Sequence, residues 1–322
     1  MEVIRDLGRS GRRIERSVVT VGNFDGVHRG HQQLFARVRA EAARLDAPAV
    51  VYTFDPHPEQ VLRPDRAPET LTGLPKRIRL IRECGMDVLV CEHFTREFAG
   101  QEPEQFIDDV LVHQLGARKV VIGYDFCFGR ACRGTPEFML GEAPRHGLEA
   151  EVFPAFQWKG DVVSSTRIRG LLKEGDVRLA SELLGRYYLA QGHVVAGDRR
   201  GRVLGFPTAN LAPPDELLPK RGVYATWVEI AGRHHAGVSN VGVAPTFGGG
   251  VLTVEVHVLD FQSDLYGQSI GVRFVDRIRD EQKFGGIGEL TTQIQRDVER
   301  ARVILGESDP SGPRLTDEGD RA

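Results

Sequence analysis

A strand, a glycine turn and a helix in immediate succession constrain a chain more than its composition does, and residues 18–45 read in that way. Val18-Val19-Thr20-Val21 is a β-branched run suited to a buried strand, and Gly22 and Gly26 bracket a turn. Leu34, Val38, Ala42 and Leu45 then follow at helical spacing. His28 and His31 stand at the helix entry with a spacing that sets both rings on one face. They lie beside unpaired main-chain N–H groups at the positive end of the helix dipole, a place that suits a polyphosphate. Two histidines near a helix start are ordinarily capping or surface residues. The strand before, the helix after and the glycines between shift the reading toward phosphate binding. Asp25 has two open roles, capping the turn or approaching a metal-bound phosphate.

The same rhythm runs through the first half. Strands are predicted over 17–21, 49–54, 87–91, 118–123 and 148–153, with helices near 30–45, 75–84, 104–115 and 136–145 between them. This βαβ order implies an α/β, doubly wound parallel sheet, whose ligands bind at the carboxyl ends of the strands. The chemical-looking residues cluster there. Asp55-Pro56-His57-Pro58 is a stiff extended loop in which His57 is either packed or functional. In Gly123-Tyr124-Asp125-Phe126-Cys127-Phe128-Gly129-Arg130, Asp125 suits a ligand amine or ribose, or simply a turn, and Phe126 and Phe128 are more often core than platform. Ser164 or Ser165 is an N-cap candidate that gathers hydroxyls, N–H groups, Thr166 and Arg167 at one helix start, a phosphate clamp unless capping is its whole purpose.

A helical stretch over 176–184 ends at Gly185, where a domain boundary is expected. Beyond it, strands are predicted over 186–196, 222–230, 234–240, 252–260 and 269–277, with glycine-rich turns that suggest a small closed antiparallel barrel. Alternation in 252–258 puts Glu255 and His257 on one face. Ile287, Leu290, Ile294, Val298 and Ile304 form the apolar stripe of a final helix, and the tail over 307–322 reads as disordered. No GxxxxGK[ST] occurs. Instead a loop from Gly201 to Gly205 leads into Phe206-Pro207 and then Thr208 and Asn210, two oxygen donors on one side of an extended segment, hard ligands of the kind Mg²⁺ takes.

With 322 residues the chain has length for about two domains. A net charge of −3 points to neither nucleic acid nor an anionic membrane, so an ATP site has to be made locally basic. No apolar run reaches transmembrane length and no signal-peptide core is expected at the N-terminus. Cys84, Cys91, Cys127 and Cys132 have no CxxC or zinc spacing and are expected to be free thiols in a reducing cytosol.

His28-Arg29-Gly30-His31 resembles the HxGH signature of nucleotidylyltransferases. Together, Gly22 to Gln32, Thr53 to Pro58, Gly123 to Gly129 and Ser164 to Arg169 are similar, in order, to the adenylyltransferase module of the bacterial bifunctional riboflavin kinase/FMN adenylyltransferases (FAD synthetases). Leu204 to Leu211, Gly222-Val223-Tyr224, Asn240 to Phe247, Val254 to His257 and Asp264 to Gly267 resemble their riboflavin kinase module. Two departures are visible, Cys127 where arginine is common and Ala196 where histidine is. The resemblance implies adenylylation of FMN to FAD with release of pyrophosphate in domain 1–185, and ATP-dependent phosphorylation of riboflavin to FMN in domain 186–306, with Mg²⁺. It implies Glu255 as catalytic base, and Thr208 and Asn210 for metal. His28, His31 and Arg167 are the residues for adenylyl transfer. Gly22, Phe24, Asp25, Gly26, Ser164, Ser165, Thr166, Gly201, Gly205, Pro207 and Asn210 are read as nucleotide or phosphate contacts. Asp55, Pro56, His57, Pro58, Asp125, Phe126 and Phe128 are read as flavin contacts. A kinase with an impaired adenylyltransferase half, or a flavin carrier without turnover, are the alternatives. The expected partners are small molecules only, for a cytoplasmic monomer or transient homo-oligomer.

Overall fold

The β-branched runs of the first half become adjacent strands of one sheet. The structure, a computed structural model, describes residues 1–195, 205–212, 215–243 and 252–313. Contacts divide the chain into two compact units, Met1–Val163 and Ser164–Ala322. The division falls ahead of the boundary expected at Gly185, because the helices Ser165–Glu174 and Val177–Leu184 belong with the second unit; there Leu172 accepts a main-chain hydrogen bond from Lys220 at 2.8 Å.

In the first unit, β1 (Glu2–Arg5), β2 (Ser17–Val21), β3 (Ala49–Asp55), β4 (Val88–His93), β5 (Ala117–Gly123) and β6 (Glu149–Phe153) lie in the order β1-β4-β3-β2-β5-β6. Every pairing is parallel. Successive residues of a strand enter opposite faces, so the continuous apolar runs feed two cores. Val19, Val50 and Tyr52 pack with Phe106 and Leu111 on one face, and Val18, Val51 and Leu89 with Phe35, Val38 and Ile81 on the other. The expected strands are all present; β1, four residues with charged ends, carried too weak a pattern to be read. From β2 the chain builds β3 and β4 to one side, and β5 then starts the other side. The crevice at the carboxyl ends of β2 and β5 is therefore the switch point of the sheet, the place at which sheets of this kind take ligands.

In the second unit, β9 (Tyr188–Val195), β10 (Ala209–Leu211), β11 (Gly222–Ile230), β12 (Arg233–Val243), β13 (Leu252–Val258) and β14 (Ser269–Arg279) close a barrel in the order β10-β13-β12-β11-β14-β9. Tyr224, Val241, Val254, Val256 and Phe274 are fully buried. Val223 and Ala225 pack against Ala301 and Leu305 of the helix Ile287–Gly306. Two expectations need correction here. Ile287 is 69% exposed, whereas Val298 and Ile304 of the expected stripe do pack against the barrel, beside the buried Asp297, Ala301 and Leu305. The tail does not loosen directly after Gly306: Ser308 Oγ accepts from Trp227 Nε1 at 3.0 Å and donates to Leu305 O at 3.1 Å. Residues 314–322 lie outside the described residues.

The expectation of four free thiols also fails. Cys127 and Cys132 are joined as a disulfide, with Cα atoms 5.0 Å apart, whereas Cys84 and Cys91 form no disulfide. The loop folds back through left-handed Gly129 and Ala131 and closes on a Phe128–Gly134 bridge, which brings together two cysteines that have no motif spacing. Burial of Cys91 pushes its thiol up to about 11.

Candidate active sites

In the first unit the helix Arg29–Leu45 begins at His28. The Nδ1 of His28 accepts the main-chain N–H of His31 at 3.3 Å, so the histidine serves as N-cap. The two imidazoles stack with centroids 3.5 Å apart and planes 18° apart, and His28 is only 6% exposed. Phe24, in a left-handed conformation, meets His31 edge-on at 5.3 Å. Gly22 and Gly30 are glycines for want of room. A Cβ on Gly22 would lie 2.9 Å from the Phe24 ring, and one on Gly30 would lie 3.2 Å from the His28 ring and 3.4 Å from Phe156. Arg29 is buried with its guanidinium 3.9 Å from the Trp158 ring, on the small hairpin of β7 (Gln157–Trp158) and β8 (Asp161–Val162). The spacing of residues gave no hint of that hairpin.

Asp25 is 3% exposed. Its carboxylate accepts from Leu71 N and Thr72 N and from the Thr72 hydroxyl, while the Gly26 N–H donates to Thr72 Oγ1 at 2.9 Å. Of its two open roles, these contacts are those of a brace. Asp55–Pro56 is a cis peptide, and His57 caps the short helix Pro58–Leu62 by accepting from Glu59 N at 3.2 Å. Across the crevice, Asp125 is exposed, whereas Phe128 is core and stacks on Phe126 at 5.4 Å. Arg130 and Arg133 pair with Glu102, which fixes the loop from outside.

In the second unit Ser164 caps the helix Ser165–Glu174, accepting from Arg167 N at 3.2 Å; Thr166 is exposed and Ser165 half-buried. In the barrel, Asn210 and Glu255 lie opposite one another between β10 and β13, and Glu255 lies opposite Asn240 between β13 and β12. Opposed residues share a face, so three polar side chains line up across three strands. The alternation seen in 252–258 is real, and it also places His257, whose Nδ1 bonds the Pro207 carbonyl at 2.9 Å and whose ring meets Phe206 edge-on at 5.5 Å. His257 thus holds the Phe206-Pro207 segment against β13. A cleft of about 470 Å³ opens beside Thr208 and Pro207, walled by Val256, Val258 and Tyr266, a size suited to a nucleoside. Gly205 is described and exposed; Gly201 and Ala196 lie outside the described residues, as do Ala244 to Phe247. The donors present fit Mg²⁺: a hydroxyl at Thr208 and an amide oxygen at the buried Asn210.

The comparisons with known proteins agree with this geometry. The FAD synthetase family model matches residues 11–167 and the riboflavin kinase model residues 184–305. The bifunctional riboflavin kinase/FMN adenylyltransferase of Escherichia coli (strain K12) is 38% identical over 300 residues, covering 92% of this chain and 95% of that protein. That of Bacillus subtilis (strain 168) is 38% identical over 295 residues, covering 89% and 92%. A crystal structure from Streptococcus pneumoniae, described as a macrolide-efflux protein, matches with a TM-score of 0.85 at 32% identity over 94% of this chain and 99% of that one. No helix among the described residues is long and apolar enough to cross a membrane. With both halves matched, the alternatives of an impaired half or a carrier gain no support. The chain belongs to the bifunctional riboflavin kinase/FMN adenylyltransferase family, its FAD synthetase half first and its riboflavin kinase half second.

Proposed function

We propose that this riboflavin kinase/FMN adenylyltransferase performs adenylyl transfer with His28, His31 and Arg167 and phosphoryl transfer with Glu255. The single observation that carries the reading is the stacked His28–His31 pair at the N-terminus of a long helix. The FMN phosphate is already a nucleophile, so no covalent enzyme intermediate is required. The two imidazoles and the helix N-terminus donate to oxygens of the α-phosphate and the departing pyrophosphate, and the Arg167 guanidinium offsets their charge. Gly22, Phe24 and Gly26 shape the phosphate loop, Asp25 holds it from behind, and Ser164, Ser165 and Thr166 add donors. The 55–58 loop with Asp125, Phe126 and Phe128 forms the flavin side.

In the kinase half, Glu255 takes the proton of the ribityl 5′-hydroxyl as that oxygen attacks the γ-phosphate of ATP and ADP leaves. Its alignment with Asn210 and Asn240 supports this role. Thr208 and Asn210 would hold Mg²⁺, which would supply charge stabilisation at the phosphates. Gly205 and Pro207 contribute to the phosphate side. The chain works in the cytoplasm on ATP, riboflavin and FMN, as a monomer or transient homo-oligomer, with its functional boundary near Gly185.

Chromatography of products from riboflavin, ATP and Mg²⁺ tests the division of labour. His28→Ala is expected to accumulate FMN with FAD formation reduced at least ~100-fold. Glu255→Gln is expected to leave riboflavin unphosphorylated yet to convert added FMN to FAD. Loss of both activities in either folded variant would refute the assignment.

A further inference from the structure

One buried cation of the first unit has no part in the chemistry described so far. Arg77, on the helix Leu74–Glu83, is 4% exposed. Its Nη1 donates to the carbonyl of Asn23 at 3.0 Å and its Nη2 to the carbonyl of Phe54 at 2.8 Å. Asn23 belongs to the loop between β2 and His28, and Phe54 is the penultimate residue of β3, immediately before Asp55-Pro56-His57-Pro58. One planar guanidinium therefore spans the two loops read above as the phosphate and flavin sides. No other side chain can do this equally: lysine is a single point donor, whereas the arginine fork reaches two acceptors in fixed geometry.

The surroundings fit a charged strut rather than a neutral spacer. Its bonds run to main-chain carbonyls, and Asp25, Asp55 and Cys91 are the titratable groups near enough to act on it. Burial, the largest influence, lowers its pKa, and the two carboxylates work in the opposite direction. Asp25 is itself engaged with Leu71 and Thr72, a few residues ahead of Arg77 on the same segment. Residues 71–77 thus grip the phosphate loop twice, once by a carboxylate received and once by a guanidinium given.

We propose that Arg77 is a positioning residue for adenylyl transfer, setting the β2 loop and the end of β3 in register so that nucleotide and flavin are presented to one another. This rests on the reading of those loops given above. Misplacing reacting groups by about an ångström costs on the order of 100-fold in rate. Arg77→Met is accordingly expected to raise the KM for ATP and for FMN together and to lower kcat/KM for FAD formation about 100-fold. Arg77→Lys, which keeps the charge and one donor, should recover part of that loss. Riboflavin phosphorylation in the same full-length chain serves as the internal measure of enzyme amount.

The proposal is overturned if Arg77→Met keeps both KM values and kcat. It is equally overturned if FAD formation falls only in proportion to the fraction of folded first unit, with both KM values unchanged, since that is the behaviour of a purely structural brace. Should Arg77→Met fail to fold, the KM pattern of Arg77→Lys decides by the same criterion. His28→Ala run alongside separates the two readings: full activity there removes the loop assignment itself, whereas its loss with unchanged Arg77 variants removes only this inference.

Discussion

At His28, capping and chemistry coincide in one ring, and they can be separated. Acceptance of the His31 N–H at Nδ1 requires that nitrogen to be unprotonated, which puts the ring proton of neutral His28 on Nε2, as a donor suited to a phosphate oxygen. Asparagine is among the best N-cap residues and can reproduce the cap, but it lacks the reach of the imidazole. His28→Asn is therefore expected to melt within a degree or two of the parent while FAD formation falls at least ~100-fold, as read by calorimetry and product chromatography. A destabilised variant with proportionate activity would mean that the cap is the residue's main role. The pair was legible in sequence because its spacing and its setting are both local. Arg77 was not legible as a strut, since a basic residue on an amphipathic helix ordinarily reads as solvated and its acceptors lie far away in the chain. The available signal was position: Leu80 and Ile81, three and four residues on, are buried, so Arg77 falls on the apolar face.

The helix Arg29–Leu45 is tied to the edge of the sheet by charge as well as by packing. Glu151 of β6 accepts from Arg37 Nε at 2.7 Å and lies 2.6 Å from Lys119 Nζ of β5, which also reaches Glu41 at 3.0 Å. The Arg37 hydrogen bond, opposed by burial and aided by Lys119, holds the Glu151 carboxyl down at about 2 against an ordinary 4.5. A carboxyl depressed on folding adds stability in full above its unfolded value and loses it as pH falls toward the folded one. The contribution is about 1–3 kcal/mol at neutral pH and fades between about pH 4.5 and 2. Glu151→Gln should accordingly lower the melting temperature of the first unit at pH 7 and flatten its decline on acidification, measured by thermal melts across that range. An unchanged acid limb would show that the pair is solvated and inert. Elements of this kind were read well from periodicity, and the misreadings share one cause. Asp297 occupies a buried face as the bidentate partner of Arg279, with bonds of 2.7–3.0 Å, so a charge sits on a face read as purely apolar, while Ile287 of that stripe is exposed. The Cys127–Cys132 pairing likewise depends on how a loop folds back. Periodicity registers apolar burial and is silent on paired charges and loop closure.

Across the whole molecule, each unit closes its own core, a two-faced parallel sheet in one and a sealed barrel with its helix in the other. That much followed from the change of rhythm along the chain, because strand–helix alternation and glycine-punctuated strands require different layer architectures. The seam of contacts falls earlier than the boundary read at Gly185, since residues 164–184 are helical in pattern and pack with the barrel. If each activity resides in its own unit, the two chemistries must be separable by mutation and rejoinable by mixing. FMN made by a chain carrying His28→Ala has no use there, and a chain carrying Glu255→Gln can consume FMN but not make it. Equimolar mixing of the two variants with riboflavin, ATP and Mg²⁺ is expected to produce FAD after a lag. That lag should shorten as total protein rises, because the rate of the second step follows the concentration of FMN released into solution. Parent enzyme at matched concentrations gives the reference curve. A mixture that accumulates FMN without FAD, from two variants each active in its own half-reaction, would show instead that FMN reaches the adenylylating site only within the chain that made it.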